Sequence, residues 1–403
     1  MRMSKRKEAA LVPRLRFPEF RCCGEWESKQ LGELCKLTRG PFGGALKKES
    51  FIKDGYAVYE QSHAIYSNYD SFRYYISKVK FNELKRFAVN PNDIIMSCSG
   101  TMGKFSIVPR GAKKGIINQA LLKLTVYSGF DIRFIKTSFE LPFNQEQLLC
   151  QSAGGAIKNV VSVDQIKKIC VCIPNFYEQQ KIADCLSSVD ELISAEDKKL
   201  ALLKTHKKGL MQKLFNQEMR LKDKQGIRFS AWRKENLKDV CLSISSGKSE
   251  KGENINGFPL YGSTGIIGKT DIAEYDGEFL LVARVGANAG NTYIINGKCG
   301  ISDNTLVIDV DKEKIVLCYL GYFLCNYDLN KLIFGSGQPL ITGTQLKTIE
   351  LQLPSLPEQQ KIADCLSSLD DHITAQTKKI EALKLHKKGL MQGLFPSAQD
   401  VFG

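Results

Sequence analysis

Two stretches of sequence decide how this chain folds. Residues 174–215 read PNFYEQQKIADCLSSVDELISAEDKKLALLKTHKKGLMQKLF, and residues 354–395 read PSLPEQQKIADCLSSLDDHITAQTKKIEALKLHKKGLMQGLF. The two align at a constant offset of 180 without a gap, and 28 of the 42 positions are identical. Identity over so long a segment indicates an internal duplication, and its period is far too long for a solenoid repeat.

Apolar residues in both copies follow alternating steps of three and four, which is the spacing of a coiled coil. The predicted seam consists of Ile182, Leu186, Val189, Ile193, Leu200, Leu203, Leu210 and Leu214 in the first copy, and of Ile362, Leu366, Leu369, Ile373, Ile380, Leu383, Leu390 and Leu394 in the second. Polar residues interrupt this seam at Glu196, Lys207, Gln376 and Lys387. At Gly209 and Gly389 each helix either ends or tolerates about 1 kcal/mol of glycine cost.

Each copy is predicted to project from its domain and to pair with the other copy. A helix of roughly 35 residues is about 52 Å long, longer than a 150-residue domain is wide. The alternative is that each amphipathic helix packs only on its own domain. We expect antiparallel pairing, which relates the two halves by a pseudo-two-fold axis and matches the dyad of duplex DNA. A helix length of about 52 Å would place the two globular regions roughly 15 base pairs apart on DNA, centre to centre.

A weaker repeat precedes each long helix. Trp26, Leu31 and Cys35 recur at an offset of 206, an Arg-Phe pair precedes both tryptophans (Arg16 and Arg228), and these are the only tryptophans in the chain. The strand-like run at residues 93–97 leads into glycines at 100 and 103, and the run at 278–282 leads into glycines at 286 and 290. Both runs predict a strand that enters a tight turn. Further glycine-rich stretches lie at 152–155 and 335–338.

These repeats predict mixed α/β domains separated by two long helices that form an antiparallel intramolecular coiled coil. The predicted division is a first recognition domain at 1–173, a first helix at 174–220, a second recognition domain at 221–353, a second helix at 354–396 and a tail at 397–403. The chain length of 403 residues agrees with more than one domain, because single cores stop growing at roughly 250–300 residues.

Composition narrows the class of protein and its partners. The chain is 43% apolar and 25% charged, as ordinary globular proteins are. Its net charge of +14 favours a polyanionic partner, above all nucleic acid. No apolar run is long enough for a membrane span or a secretory signal, which predicts a cytoplasmic protein. The 13 cysteines and 4 histidines show no metal-binding spacing, so no metal site is expected.

Common catalytic motifs for DNA chemistry are missing from the sequence. There is no Pro-Pro dipeptide for an amino-methyltransferase, no Pro-Asp dipeptide for a common nuclease, and Cys98 stands where a phosphate loop ending at Gly103-Lys104 needs glycine. His206 and His386 recur at equivalent positions, but solvated histidines explain them better than metal ligands do. Methyl transfer, cleavage and ATP hydrolysis are therefore expected on partners.

Two divergent segments, each followed by a near-identical arm that begins P-x-x-x-EQQKIA, resemble the specificity subunit of a type I restriction–modification system, from about Phe17 to Phe395. The segment 93–104 is similar to the strand-glycine segment of that family, whereas 278–291 departs from it by one residue between the glycines. The resemblance implies a non-catalytic subunit of an adenine-specific DNA methyltransferase and endonuclease complex. It implies that S-adenosylmethionine, ATP and Mg²⁺ belong to partner subunits: two modification subunits, and restriction (translocase) subunits.

Base readout requires donors and acceptors on loops that enter the major groove. The candidates are Gln61, Ser62, His63, Ser99, Thr101 and Lys104 in the first domain, and Ser263, Thr264, Arg284, Asn288 and Asn291 in the second. The candidates for phosphate contacts are Lys47, Lys48, Arg73, Lys248 and Lys251. Ordinary solvated loops are the competing explanation for such residues.

The sequence thus predicts a subunit that binds an asymmetric two-part DNA site with an unread spacer and docks its partners on the helices. One alternative is a coiled-coil adaptor that binds only proteins, its basic charge serving solubility. Another is a stand-alone DNA enzyme, which would require methyl transfer or cleavage by the purified chain. A footprint with two protected patches, weakened by salt, distinguishes the first of these from the adaptor.

Overall fold

The structure is a computed structural model that describes residues 11–42, 44–150, 163–333 and 339–396. The chain forms two compact units, the first made of residues 1–195 and 381–403 and the second of residues 196–380. Both predicted long helices cross the division, so each unit contains part of each helix. No helix in the described ranges is long and apolar enough to cross a membrane. The glycine-rich stretches at 152–155 and 335–338 lie outside the described residues.

Within its described residues, the first unit is a mixed α/β domain with three sheets. Its strands are β1 (Glu27–Gln30), β2 (Cys35–Arg39), β3 (Phe51–Ile52), β4 (Tyr56–Tyr59), β5 (Tyr75–Ile76), β6 (Ala88–Val89), β7 (Ile94–Ser97), β8 (Phe105–Ile107), β9 (Gly115–Ile117), β10 (Leu121–Val126) and β11 (Cys170–Ile173). Its helices are α1 (Leu31–Leu34), α2 (Gln61–Tyr66), α3 (Lys78–Glu83), α4 (Ile132–Glu140), α5 (Pro142–Cys150) and α6 (Val163–Lys167). The sheet orders are β1-β11, β2-β10-β7-β8 and β3-β5-β4-β9-β6.

The second unit has the same kind of architecture with fewer and longer strands. Its strands are β12 (Arg233–Asn236), β13 (Cys241–Ser246), β14 (Phe258–Gly262), β15 (Gly265–Thr270), β16 (Tyr275–Ala283), β17 (Thr292–Ile301), β18 (Thr305–Val310) and β19 (Glu350–Leu353). Its short helices are α8 (Leu317–Tyr327) and α9 (Gly343–Lys347). The sheet orders are β12-β19 and β13-β18-β16-β17-β14-β15, so one six-stranded sheet stands where the first unit has two.

The two duplicated segments form long helices, as predicted: α7 (Phe176–Phe215) and α10 (Leu356–Leu394). Every predicted seam residue in them is buried or half-buried. Both helices run through Gly209 and Gly389, so the chain tolerates the cost of about 1 kcal/mol at each glycine. His206 and His386 are exposed, as expected of solvated side chains.

The helices run antiparallel within each unit. In the first unit Lys387 Nζ lies 2.7 Å from both carboxylate oxygens of Asp190, and Leu390 packs in the same core as Leu186. In the second unit Lys207 Nζ lies 2.6 and 2.7 Å from the carboxylate oxygens of Asp370. Lys207 and Lys387, two of the polar residues in the seam, therefore form ion pairs between the helices, which explains why lysine is accommodated there.

The other two polar seam residues meet each other. Glu196 and Gln376, at 9% and 6% exposure, hold equivalent places in the two repeats. Gln376 Nε2 donates to Glu196 Oε2 at 2.6 Å, and Lys379 Nζ donates to Glu196 Oε1 at 2.5 Å. A buried polar pair of this kind fixes the register of a coiled coil. Since equivalent residues meet, the antiparallel pairing predicted from the repeat is confirmed.

The Glu196 contacts predict an acid-sensitive helix pair. The hydrogen bond from Lys379, followed by that from Gln376, lowers the pKa of Glu196. A lowered pKa adds stability above the ordinary carboxyl pKa, and this stability is lost as pH falls through the folded-state value. We expect Glu196→Gln to lose less stability than the parent chain on acidification below about pH 4. Urea unfolding followed by far-UV circular dichroism at several pH values measures this.

The control for this prediction is Glu191→Gln, because Glu191 is exposed on the same helix. It should keep the acid dependence of the parent chain. An identical acid profile for the parent chain and both variants would show that Glu196 does not stabilise the pair.

Each long helix begins at a buried carboxylate. Glu178, at 1% exposure, accepts bonds from Arg16 Nε at 2.8 Å and Nη2 at 2.7 Å, and from Trp26 Nε1 at 3.4 Å. In the second unit Glu358, at 0% exposure, accepts a bond from Trp232 Nε1 at 3.0 Å. Its carboxylate also accepts bonds from Arg220 Nε at 3.1 Å and Nη2 at 2.7 Å.

The sequence alignment matched Arg16 with Arg228, and the structure corrects this. Arg228 is exposed, whereas Arg220 makes the bond to the buried glutamate. The chain leaves α7 through a short loop that brings Arg220 back over Trp232. A basic residue just after the helix thus serves as the counterpart of one that precedes Trp26.

Candidate nucleic-acid interface

The two units share a pattern of hydrogen bonds at one edge of their sheets. In the first unit β10 lies between β2 and β7, and in the second β18 lies between β13 and β16. Gly40 N donates to Leu121 O at 3.0 Å, and Gly247 N donates to Thr305 O at 2.9 Å. β2 and β13 therefore end at the same place, beside the beginning of the middle strand.

A further strand in each unit reaches this edge. β4 runs parallel to β9, and Asn118 N donates to Tyr59 O at 3.0 Å. β14 runs parallel to β17, and Ser302 N donates to Tyr261 O at 2.9 Å. We call these residues the loop edge of each unit: residues 39–42, 60–63, 98–104 and 118–120 in the first, and residues 246–248, 262–264, 284–291 and 302–304 in the second.

Glycines make the close approaches of this edge possible. A Cβ on Gly40 would lie 1.8 Å from Asn118 O, and one on Gly247 would lie 2.4 Å from Ser302 O, so only glycine fits. The turns predicted after β7 and β16 are confirmed, since Gly100 and Gly286 have φ values of +60° and +79°. These values lie in the left-handed region that glycine adopts without strain.

The structure brings together two groups of candidates in the first unit. Gln61 opens α2, and its Nε2 donates to Thr101 O at 3.1 Å. Ser62, Ser99, Thr101 and Lys104 are exposed around this contact. Arg73 lies over the ring of Tyr74 and lines a shallow depression with Gln61 and Ser62. Segments about 40 residues apart in sequence thus form one polar surface.

Three candidates of the first unit are placed differently. His63 is only 4% exposed, and its ring stacks on Phe72 with 4.7 Å between centroids. Its Nδ1 also accepts a bond from Glu60 N at 2.9 Å, so packing and helix capping explain it better than base readout. Lys47 and Lys48 are exposed but precede β3, at the opposite end of its sheet from α2.

The second unit places its candidates on the equivalent loops. Ser263 and Thr264 follow β14 just as Gln61 and Ser62 follow β4. Arg284 follows β16, and Asn291 Nδ2 donates to Asn288 Oδ1 at 3.4 Å within the glycine turn. These polar residues therefore share one edge, although 20 residues of sequence separate their two groups. The phosphate candidates Lys248 and Lys251 are both exposed: Lys248 lies directly after Gly247 at this edge, and Lys251 lies further along, beside Gly252, whose N donates to Lys269 O.

Sequence reasoning missed Arg39, the last residue of β2. Its Nη2 donates to Cys98 O at 3.4 Å, and its guanidinium lies 5.6 Å from the ring centre of Phe42. The only sequence signal was a basic residue directly before Gly40 at the end of a strand-like run.

The chemistry of the edge is that of binding. Burial raises the pKa of the Cys98 thiol to about 11, with Arg39 opposing the shift, so the thiol stays neutral. Burial likewise raises the pKa of Tyr293 to about 12. In the described ranges no three His, Cys, Asp or Glu side chains gather into a possible metal site. The amide, hydroxyl and guanidinium groups on these glycine-containing turns can form hydrogen bonds with the edges of DNA bases.

Each half therefore repeats one framework of strands and ends in a polar loop edge with its own side chains, an arrangement typical of a protein with two separate binding surfaces. The family model described as the type I restriction modification DNA specificity domain matches residues 24–205 and 230–385, and the chain belongs to this family.

Individual proteins agree with this assignment. The chain is 27% identical to the MjaVIII specificity subunit of Methanocaldococcus jannaschii, a type I restriction enzyme subunit, over 94% of this chain and 92% of that one. Its fold is similar to the crystal structure of the type I S subunit from M. genitalium, with a TM-score of 0.63, 18% identity and coverage of 96% and 100% of the two chains. A structure from a study of complex assembly in the type I system has a TM-score of 0.57 at 17% identity, covering 92% and 98%.

The protein is therefore the DNA specificity subunit of a type I restriction–modification system, a non-catalytic subunit of its complex. The family implies DNA and the other subunits of the complex as partners.

Proposed function

We propose that the chain reads an asymmetric, two-part DNA sequence with an unread spacer, each part through the loop edge of one unit. The observation that carries this is the repetition of one edge geometry with different side chains on it. Gln61 and Ser263 hold equivalent positions, as do Cys98 and Arg284. Edges that share one framework of strand hydrogen bonds, but whose turns carry different donors and acceptors, select different bases. The two half-sites should therefore differ.

The recognition domains in this proposal are residues 1–173 and 221–353, with helical segments at 174–220 and 354–396 and a tail at 397–403. Arg73, Lys248 and Lys251 are the phosphate contacts nearest to the two edges, and Lys47 and Lys48 would reach the backbone only from the far end of their sheet. Phosphate contacts add affinity without specificity and make binding fall steeply with salt. The net charge of +14 is consistent with this role.

The long helices are the proposed platform for two modification subunits. Tyr177 and Leu202 on α7 and Leu385 on α10 are large apolar side chains left exposed on these helices. A modification subunit that packs along the helices would cover these side chains. In the proposal the modification subunits carry S-adenosylmethionine, restriction subunits carry ATP and Mg²⁺, and the assembly works in the cytoplasm.

The decisive experiment maps methylated adenines by long-read sequencing in a methylation-free host that expresses the chain with its modification subunits. We expect one motif with two dissimilar halves at a fixed spacing. Replacing Gln61 and Ser62 by alanine should relax one half only, and replacing Ser263 and Thr264 should relax the other, each by about tenfold or more per base lost.

The matched control is Gln225→Ala, since Gln225 is an exposed amide away from either loop edge. It should leave the motif unchanged. Methylation without sequence preference by an intact complex would contradict the proposal and favour the adaptor.

A further inference from the structure

The two units each place one arginine across the start of the middle strand, but from opposite sides. Cys98 N donates to Ala120 O at 2.8 Å, and Arg284 N donates to Asn304 O at 3.0 Å, so Cys98 and Arg284 are equivalent. By the same reasoning Arg39, which precedes Gly40, is equivalent to Ser246, which precedes Gly247.

The contacts of the two guanidinium groups mirror this exchange. Arg39 Nη2 reaches the residue at the end of β7, donating to Cys98 O at 3.4 Å. Arg284 Nη1 reaches the residue at the end of β13, donating to Ser246 Oγ at 3.2 Å. One guanidinium therefore bridges the same two strand ends in both units, although it is supplied by different strands.

Each guanidinium is only partly satisfied by the unit that holds it, since Arg284 adds just one longer contact, from Nη1 to Asp303 O at 3.5 Å. Arg39 Nε and Nη1 and Arg284 Nε are shielded from solvent without a hydrogen-bond partner. Neither arginine forms an ion pair with the described residues, whereas Arg16 and Arg220 each bind a buried glutamate. A guanidinium has five donors in a rigid fork, and leaving such donors unpaired is costly. An arginine that served only to brace the turn would be expected to make shorter and more numerous bonds.

We propose that Arg39 and Arg284 are the guanine-reading residues of their units: on DNA binding each guanidinium turns outward from the strand ends that shield it and donates two hydrogen bonds to O6 and N7 of one guanine in the major groove. This deepens the proposed function and rests on it. Bidentate arginine is the commonest specific contact to guanine. Because the two guanidinium groups occupy equivalent places on equivalent edges, each half-site contains a guanine, and the two guanines lie at corresponding positions of the two halves.

The test is a set of methylation maps for Arg39→Ala, Arg39→Lys, Arg284→Ala and Arg284→Lys in the assembled complex. Each variant should lower methylation of the parent site by about 10- to 100-fold and relax one guanine, in the half read by its own unit. Lysine should not restore the preference, because it keeps the charge but lacks the planar fork.

Arg110→Ala and Arg233→Ala serve as charge-matched controls. Arg110 is exposed in the loop after β8, at the opposite end of its sheet from the loop edge, and Arg233 is exposed on β12. Both controls should keep the parent motif. Circular dichroism and copurification with the modification subunits establish that each variant is folded and assembled.

The outcomes separate the two levels of the proposal. A parent map without a two-part motif would overturn the proposed function itself. If the parent reads a two-part motif, but the arginine variants lower methylation equally at every base, the arginines contact phosphate and the guanine assignment is wrong. A half-site with no guanine would also overturn the assignment for that unit.

Discussion

Glu358→Ala is expected to lower the free energy of unfolding of the second unit by about 3–5 kcal/mol. Glu358 is fully buried and is the counter-ion of Arg220, whose side chain is 23% exposed. Removing the carboxylate leaves the indole N–H of Trp232 without its acceptor, and it leaves a partly buried guanidinium with only backbone carbonyls, chiefly Ser230 O at 2.7 Å, and no counter-ion. Such a loss is large compared with the total stability of a typical domain.

Urea unfolding followed by tryptophan fluorescence measures the effect, with hydrogen exchange assigning it to the second unit. The control is Glu350→Ala, because Glu350 pairs with Lys234 on the surface, with side chains 58% and 68% exposed. That variant should change stability by less than about 1 kcal/mol. Glu178→Ala should reproduce the large loss in the first unit.

A double variant shows whether the pair or only the unpaired charge matters. Arg220→Met with Glu358→Met removes both charges, and apolar replacements of a buried pair are often neutral or stabilising. The double variant should therefore be markedly more stable than Glu358→Ala. If the two substitutions were simply additive in a double-mutant cycle, no coupling would exist between Arg220 and Glu358.

These buried contacts explain why the opening of the repeat is nearly invariant. The glutamine after each buried glutamate is itself buried, and Gln179 Oε1 accepts a bond from Asp131 N at 2.9 Å. Gln359 Oε1 accepts from Val316 N at 2.8 Å. The shared EQQ sequence thus ties each helix to a neighbouring segment of its own unit by the same hydrogen bonds. Polar groups this deeply buried tolerate few substitutions.

The long helices, their direction and the glycine turns were predictable because their signals are local and periodic. The helices pair along the predicted seam despite its polar residues, because Gln376 donates a hydrogen bond to Glu196 across the seam. The loop edge was only partly predictable, because it joins segments far apart in sequence. That the ring of Phe72 would cover His63 is a tertiary fact that no local pattern encodes.

Arg39 shows the limit of aligning the two halves. It aligns with Ser246, so the alignment gives no sign that both units hold a guanidinium at the same place. Only the hydrogen bonds of the strands reveal that Arg284, which is equivalent to Cys98, brings its guanidinium to the position that Arg39 occupies in the first unit. The two units thus place a guanidinium at the same site, although different strands supply it.

A chain that carries the second recognition domain twice is expected to methylate a symmetric site. The design replaces residues 26–173 by residues 232–353, which keeps a tryptophan at the start and the proline of the helical repeat at the end. Both strands of the small β12-β19 sheet move together. The parent motif should disappear, and the half read by the second unit should occur twice as an inverted repeat.

The repeat makes this exchange structurally plausible. In the second unit Phe215 packs against Tyr319, with 5.5 Å between ring centroids. In the first unit Phe395, its equivalent in the repeat, packs against Phe134 at 5.2 Å. The transplanted domain therefore meets the same Leu-Phe helix end that it met in its original place. Copurification with the modification subunits establishes that the chimera assembles.

The orientation of the two copies in the new motif is the discriminating result. The pseudo-two-fold axis predicted from the repeat would turn identical domains in opposite directions, and the strands of duplex DNA are antiparallel, so we expect two identical recognition domains to select an inverted repeat. Two copies in direct repeat would mean that the domains contact DNA with the same polarity, which would contradict the pseudo-two-fold arrangement predicted from the repeat. Survival of the parent motif would mean that residues 26–173 do not read DNA at all.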